Sequence, residues 1–156
     1  MSFHPVRTSA KALIIHEGKI LVNKMKGKDE DFYILPGGGQ HLNENLHKAL
    51  KRELLEEVGA EVKIKDLVLV REYISNNHEF KDMHPDFHSI NLIFTCDLLN
   101  FNNFSPSTEP DERQIGFEWI PVKEMHKHKI YPLSLRGKIQ EISEGNSLPL
   151  YAGDVN

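Results

Sequence analysis

Three glutamates beside an arginine are the residues of this chain best suited to chemistry. Arg52, Glu53, Glu56 and Glu57 lie close together, downstream of a glycine run at positions 37–39. Carboxylate oxygens are hard ligands of the kind that Mg²⁺ and Mn²⁺ prefer. The glycines suit neither a helix nor a well-packed strand, so a tight loop with exposed backbone is predicted there. Such a loop offers carbonyl groups to a cation and N–H groups to an anion.

The three glutamates are predicted to lie on one helix. Asn43 is the expected N-cap, and Glu44 in the first turn suits the positive end of the helix dipole. The helix is expected to cover residues 44–58 and to stop at Gly59 in the left-handed conformation. Four apolar residues spaced four apart form its buried row, namely Leu46, Leu50, Leu54 and Val58.

This helix would place two of the carboxylates where apolar packing is expected. At about 100° per residue, Glu53 and Glu57 fall within the apolar arc and Glu56 falls at its edge. Carboxylates at these spacings repel each other by roughly 0.2 to 0.5 kcal/mol per pair, and the last turns of a helix disfavour anions. Arg52 can offset one charge but not three, so divalent cations are predicted to supply the rest. The alternative is an ordinary solvated charged face, which the interrupted apolar arc and the glycine run disfavour.

The complete pattern resembles the Nudix box over residues 38–60. Every polar and glycine position is present, and the small Ala60 closes the run Gly38-x5-Glu44-x7-Arg52-Glu53-Leu54-x-Glu56-Glu57-x-Gly59-Ala60. The resemblance implies an α/β fold, a Nudix-type α/β/α sandwich around a mixed β-sheet, with residues 1–156 as a single domain. It also implies hydrolysis of a nucleoside diphosphate or triphosphate derivative with Mg²⁺ or Mn²⁺.

The resemblance further implies roles for individual residues. The metal ligands that it implies are three carboxylates and one loop carbonyl, namely Glu53, Glu56, Glu57 and either Gly37 or Gly38. Glu44 and Arg52 would hold the loop and orient the carboxylates. The intact set of box residues is typical of a working catalytic site.

The box pattern does not identify the general base. In-line attack of a metal-activated water at phosphorus requires a carboxylate that accepts the proton of that water. The resemblance allows this base to come from the box or from a distant loop. The candidates are Glu56 in the box and Glu109, Asp111 and Glu112 in the segment before Trp119, and a loop acid such as Glu112 is preferred.

The composition indicates a small enzyme. The 156 residues are 39% hydrophobic and 27% charged, which suits one domain with one core. The net charge of -4 argues against DNA as a partner, and no apolar run has the length of a membrane span. The single Cys96 is expected in the core. We therefore expect a cytoplasmic protein with a small-molecule nucleotide substrate, and a homodimer.

The rest of the chain predicts strands around the box and helices after it. A hairpin is expected over residues 9–25, with Glu17 and Gly18 as its turn. Further strands are predicted at 32–35, 62–74, 87–98 and 115–120, and helices at 121–127 and 133–143.

Several side chains outside the box are candidate ligand contacts. His78, His84 and His88, with nearby acids, indicate an exposed polar loop that touches substrate or, alternatively, a zinc site. Pro85 disfavours zinc because it would break the helix needed to align the imidazoles. Aromatic candidates for stacking on a base are Phe32, Tyr33, Phe80, Phe87 and Trp119. Candidate phosphate contacts are Arg7, Lys24, Lys26 and Arg71.

The substrate is not specified by these patterns. The downstream proline typical of many ADP-ribose hydrolases is missing. Tyr73 lies too early to be the tyrosine typical of diadenosine polyphosphate hydrolases. Two functions are consistent with the sequence: a metal-dependent hydrolase and a Nudix-type regulator that binds a nucleotide without turning it over. The intact box favours the hydrolase.

Overall fold

The computed structural model describes residues 5–101 and 113–156. Within them, nine strands form one mixed sheet: β1 Arg7–His16, β2 Lys19–Met25, β3 Phe32–Ile34, β4 Gly37–Gly39, β5 Val62–Ile74, β6 His88–Leu98, β7 Gln114–Pro121, β8 Ile130–Tyr131 and β9 Tyr151–Asp154. The α-helices in these residues are α1 Leu46–Val58 and α2 Arg136–Ser143, and short 3-10 helices cover Ser75–Asn77, Val122–Lys127 and Leu133–Leu135.

Strand β1 lies in the middle of the sheet. The strand order is β8-β3-β2-β1-β6-β5-β9, with β4 paired to β1 and β7 paired to β2. Strands β1 and β6 are parallel, and β1 and β2 form the predicted hairpin. Its turn residues Glu17 and Gly18 have φ values of 49° and 74°, which match the right-handed twist of the flanking strands.

Each face of the sheet is covered by helical structure, and each has its own apolar core. The core under α1 includes Ala12, Ile14, Leu50, Leu54 and Phe94. The core under α2 and the neighbouring 3-10 helices includes Leu13, Ile20, Val122, Leu135 and Ile139. Successive residues of β1 and β2 alternate between the two cores because strand side chains alternate between faces. The predicted α/β/α sandwich around a mixed sheet is confirmed.

Helix α1 begins later than the sequence pattern predicts. Asn45, not Asn43, is the N-cap, and its side chain accepts a hydrogen bond of 2.9 Å from the Lys48 N–H. Asn43 is in the left-handed region with φ 68°, so it lies outside the helix. Glu44 also precedes the helix, because its carboxylate accepts from the His41 N–H at 2.7 Å and is bound by an arginine. The predicted stop is confirmed, since Gly59 has φ 67°.

The glycine run is a strand, and its prediction as an exposed loop is wrong. Gly37–Gly39 pairs antiparallel with Ser9–Lys11 of β1. Gly37 and Gly39 are buried. A side chain at Gly37 would place its Cβ 2.1 Å from the Ala10 carbonyl oxygen, so only glycine permits this strand pairing.

The remaining predicted elements agree with the structure, and two short strands were not predicted. Cys96 is buried, and burial raises the pKa of its thiol to about 12, as expected of a core cysteine. Strands β8 and β9 are too short to give a hydrophobic period of their own. No helix in the described parts of the chain is long and apolar enough to span a membrane.

Candidate active site

Arg52 joins α1 to the segment before it and to the glycine strand. Its Nε and Nη2 donate to the two carboxylate oxygens of Glu44, at 3.1 and 2.7 Å. Nη2 also donates to the Gly39 carbonyl at 3.0 Å, and Nη1 donates to Glu53 at 2.9 Å and to Glu56 at 3.5 Å. Arg52 therefore orients Glu53 and fixes the chain that enters the helix, as the box resemblance implies.

The ion pair with Arg52 strongly favours the ionised form of Glu44. Hydrogen bonds from Arg52 and from the His41 N–H lower the pKa of Glu44 from 4.5 to about 2. A lowered pKa means that this carboxylate stabilises the fold above pH 4.5 and that the contribution is lost as the pH falls towards 2.

Glu44→Gln is expected to make the stability of the protein less sensitive to acid. Urea unfolding of both proteins should show the largest difference in the free energy of unfolding above pH 4.5, and the difference should disappear as the pH approaches 2. Glu61→Gln, a change at an exposed glutamate just beyond α1, is the control. If the free energies of unfolding of the wild type and Glu44→Gln differ by the same amount across this pH range, the lowered pKa of Glu44 is contradicted.

Glu57 lies against the sheet on the inner side of α1. Its carboxylate accepts hydrogen bonds from Asn23 Nδ2 on β2 and, at 3.3 Å, from the Gly37 N–H. Burial raises the pKa of Glu57 to about 7; Lys11 opposes this shift and neighbouring Glu53 adds to it. Two carboxylates therefore lie close together in a partly buried site. Their two negative charges would destabilise each other there unless a cation bound between them.

The middle glycine of the run makes room for this acid pair. A Cβ at Gly38 would lie 2.4 Å from the carboxyl carbon of Glu53. The glycine strand and Glu53 can therefore be in contact only because position 38 has no side chain. The backbone carbonyl of Gly37 lies in the same region, where it accepts from Lys11 Nζ at 3.3 Å.

The oxygen atoms in this region are of the hard type that divalent cations prefer. Among the described residues, no group of three or more His, Cys, Asp or Glu side chains is spaced to hold a metal ion. Two buried amide oxygens, Asn23 Oδ1 and Gln114 Oε1, have no hydrogen-bond partner among the residues that the structure describes. Both residues line one cavity with Glu53 and Glu57. Carboxylate and amide oxygens in this number are the donors that Mg²⁺ and Mn²⁺ prefer, often together with water.

Of the three glutamates named from the sequence, Glu56 is the most exposed to solvent. Its side chain is 51% exposed, against 17% for Glu53, and it lies beside Arg52. All three glutamates nonetheless line the same cavity of about 390 Å³. The placement of Glu53 and Glu57 within the packed arc and of Glu56 at its edge is confirmed. Glu112, like Glu109 and Asp111, lies outside the described residues.

A second and larger cavity of about 1010 Å³ continues from the first. The two cavities share residues from several strands, among them Arg7, Lys11, Arg71 and Tyr73. The larger cavity is also lined by Lys26 and by aromatic side chains, namely Phe32, Phe80, Phe87 and Tyr131. Together the cavities form a cleft whose smaller part holds the three box glutamates and whose larger part is lined by aromatic rings and by charged side chains of both signs.

The candidate ligand contacts from the sequence divide into two groups. Phe32, Phe80, Phe87, Lys26, Arg7 and Arg71 line the cleft. The others line neither of these two cavities: Tyr33 donates to Glu118 at 3.1 Å, Lys24 pairs with Glu118 at 3.3 Å, and Trp119 packs near His16.

The histidine segment is the exposed polar loop that the sequence favours over a zinc site. His78 Nε2 is hydrogen-bonded to Asp154 Oδ1 at 2.6 Å, and His88 Nε2 is hydrogen-bonded to Glu72 Oε2 at 2.8 Å. The two imidazoles are therefore directed to different carboxylates. His84 lines the larger cavity.

Among the polar residues of the cleft that sequence reasoning missed are Lys11, Asn23 and Gln114. Lys11 lies between two buried alanines of β1, Asn23 follows three buried apolar residues of β2, and Asn23 is only 1% exposed. A polar residue inside a buried strand is the signal that could have identified them.

Comparison with known proteins places these features in a family. The family model described as NUDIX domain matches residues 5–137. A search of curated proteins finds no match. Among solved structures, a NUDIX hydrolase from Nitrosomonas europaea superposes with a TM-score of 0.70 at 21% identity, covering 99% of this chain and 81% of that one.

Two further solved structures have the same fold and different names. An ADP-ribose pyrophosphatase from Streptococcus suis 89-1591 has a TM-score of 0.65 at 16% identity, covering 96% of this chain and 100% of that one. A MutT protein from Methanosarcina mazei Go1 has a TM-score of 0.67 at 18% identity, covering 91% and 96%. The chain belongs to the NUDIX domain family, the family of the Nudix hydrolases.

Proposed function

We propose that this protein, as one domain over residues 1–156, is a divalent-metal-dependent hydrolase that cleaves a pyrophosphate bond in a nucleoside diphosphate or triphosphate derivative. The observation that carries the proposal is the convergence of Glu53 and Glu57 in a cleft, beside unpaired amide oxygens of Asn23 and Gln114. Mg²⁺ or Mn²⁺ is the proposed cofactor because all of these donors are hard oxygens.

The proposed ligands are the three box glutamates with a glycine carbonyl, namely Glu53, Glu56, Glu57 and either Gly37 or Gly38. When bound, the cation would neutralise the phosphate oxygens and lower the pKa of a coordinated water. In this proposal the protein contributes position and charge: Arg52 orients Glu53, and Asn23 with the Gly37 N–H orients Glu57.

The proton of the attacking water must go to a carboxylate of the protein. Glu56 is one candidate, because it lines the cavity and its half-exposed side chain is the least constrained of the three. Glu112 remains the other candidate, as a residue of the segment that precedes β7. Glu56→Gln and Glu112→Gln separate the two when kcat is measured at saturating metal. Loss of the base should then still remove the rise in kcat with pH, whereas loss of a metal ligand should be overcome by raising the metal concentration.

A substrate panel tests the proposed activity. The panel contains nucleoside triphosphates, nucleotide sugars, ADP-ribose and dinucleoside polyphosphates, each with Mg²⁺ or Mn²⁺, and products are identified by mass. ADP-ribose is included because one protein of the same fold is named an ADP-ribose pyrophosphatase. Turnover that stops when EDTA is added is the expected result. No turnover, together with tight binding of one ligand, would instead favour a nucleotide-binding regulator.

A further inference from the structure

One wall of the larger cavity is formed by the loop of residues 78–87, which lies between β5 and β6. Its side chains that line the cavity are Phe80, Met83, His84 and Phe87. Apart from His78 and Phe80, the residues of this loop are exposed. Because a mostly exposed loop gains little from apolar packing, its position depends on the hydrogen bonds at its ends.

The two ends of the loop are hydrogen-bonded to each other. The Ser75 N–H donates to the Phe87 carbonyl at 2.8 Å, and the Phe87 N–H donates to the Ser75 hydroxyl at 2.9 Å. Asn76 Nδ2 donates to Asp86 Oδ1 at 2.8 Å, and the Asp86 N–H donates to Asn76 Oδ1 at 3.1 Å. A loop closed in this way is a compact unit, so the groups that bind its first residues determine the position of the whole loop.

Asp154 of β9 binds the residues that lead into the loop. Its Oδ1 accepts from the Ile74 N–H at 2.9 Å and lies 2.6 Å from His78 Nε2, and its Oδ2 accepts from Asn77 Nδ2 at 2.8 Å. Burial raises the pKa of Asp154, but the hydrogen bonds from Asn77, His78 and Ile74 outweigh burial and lower this pKa from 3.8 to about 2. An ionised carboxylate with three such bonds is a strong attachment point.

The strand that carries Asp154 is itself fixed to the sheet. Strand β9 pairs with β5, and the Tyr151 hydroxyl donates to Glu72 Oε1 at 2.7 Å. The Val155 N–H donates to the Glu72 carbonyl at 3.2 Å, and the Val155 carbonyl accepts from Arg71 Nε at 2.7 Å. Asp154 therefore connects the loop to a part of the sheet that is hydrogen-bonded on both sides of it.

Aromatic contacts determine which way the loop faces. The His78 ring stacks on Tyr73, with 5.4 Å between the ring centres and 14° between the planes. Two residues later, Phe80 packs edge-on against Tyr131 at 5.2 Å, and both rings line the larger cavity. A shift of His78 away from Asp154 would therefore also move Phe80 out of the cavity wall.

We propose that Asp154 is a positioning residue, which holds the 78–87 loop against the sheet so that the side chains of the loop complete the wall of the larger cavity. This assignment rests on the proposed hydrolase function, in which a substrate that extends beyond the acid-lined cavity contacts this wall. The side-chain hydrogen bonds of Asp154 within the described ranges lead to residues 74–78 and not to α1. Loss of Asp154 should therefore weaken substrate binding and leave the chemical step intact.

Hydrogen exchange followed by mass spectrometry tests the position of the loop without any need for activity. In Asp154→Ala, backbone N–H groups of residues 78–87 should exchange about 10- to 100-fold faster than in the wild type, because three hydrogen bonds to a charged group are lost. The N–H groups of Met83 and His84 both donate to the Phe80 carbonyl at 3.0 Å, so their exchange reports the opening of the loop.

The matched control is Asp97→Ala, which removes an aspartate that is 57% exposed at the end of β6. It should leave the exchange of the loop unchanged. His78→Phe keeps a ring to stack on Tyr73 but loses the bond to Asp154, so it should have an intermediate effect. Exchange in β2 should stay at the wild-type rate in every variant, which verifies that the sheet is folded. If Asp154→Ala does not fold, His78→Phe supplies the test.

Steady-state kinetics with the best substrate of the panel gives a second readout. Asp154→Ala should raise KM about 10-fold and leave kcat within about twofold of the wild type, because the proposed metal ligands on α1 are unaffected. Asp154→Asn retains one acceptor oxygen and should recover part of the lost affinity. A change that only destabilised the protein would lower the amount of active enzyme, and hence the apparent kcat, without raising KM.

Wild-type exchange rates for the loop in Asp154→Ala would overturn the proposal. Equal acceleration of the loop and of β2, or an equal effect in Asp97→Ala, would overturn it as well, because the effect would then not be specific to this attachment. An unchanged KM together with faster loop exchange would refute the role of the loop in substrate binding. If the exchange pattern appears but the wild type turns over no substrate of the panel, the positioning by Asp154 stands and the hydrolase proposal fails.

Discussion

Glu57→Gln is expected to reduce metal-dependent turnover by more than about 100-fold, which exceeds the usual effect of losing a group that only orients a metal ligand. The amide retains the size of the side chain, and its single oxygen can accept from one of the two donors that Glu57 binds, Asn23 Nδ2 or the Gly37 N–H. It lacks the negative charge that a divalent cation requires. Glu53→Gln should have a similar effect, because Arg52 orients that carboxylate into the same cavity.

The stability of these variants distinguishes a metal site from a structural ion cluster. Glu57 and Glu53 are neighbouring half-buried carboxylates, so removal of one charge should leave the metal-free protein at least as stable as the wild type. Unfolding in EDTA measures this directly, and Mn²⁺ titration should show weakened metal binding. Glu141→Gln, at an exposed position on α2, is the control. Unchanged Mg²⁺-dependent turnover in both box variants would refute the site.

Gly37→Ala is expected to destabilise the protein by about 3 kcal/mol or more, through backbone strain and overpacking combined. Gly37 has φ 132°, which an alanine rarely adopts, and its Cβ would lie 2.1 Å from the Ala10 carbonyl oxygen and 2.8 Å from Lys11 Cα. Both contacts are with the backbone of the central strand, which cannot move aside as a side chain can. Thermal unfolding should show a fall in Tm of about 6 to 12 °C.

Gly137→Ala is the matched control for this substitution. Gly137 lies in α2, and a Cβ there meets no atom within 4 Å. Alanine should therefore stabilise that helix by roughly 0.5 to 1 kcal/mol. A Tm for Gly37→Ala equal to that of the wild type would show that the β1–β4 pairing is not required in solution.

Much of the candidate site was predictable because it depends on local spacing. The positions of Glu53, Glu56 and Glu57 relative to the buried row of α1 follow from the helical period alone. The left-handed Gly59 and the hairpin turn at Glu17 and Gly18 are likewise decided by residues adjacent in the chain. The helix start was predicted wrongly because Glu44 is held by Arg52, a partner eight residues further on.

The sequence by itself determined the acid pair, the helix that carries it and the α/β class, because each follows from periodicity or from a motif of fixed spacing. Only the tertiary structure decided that the glycine run is a strand and that Asn23 and Gln114 approach Glu57. The same holds for the convergence of Arg7, Lys11 and Arg71. These residues come from β1, β2, β5 and β7, and the hydrogen bonds between strands that bring them together have no local period in the chain.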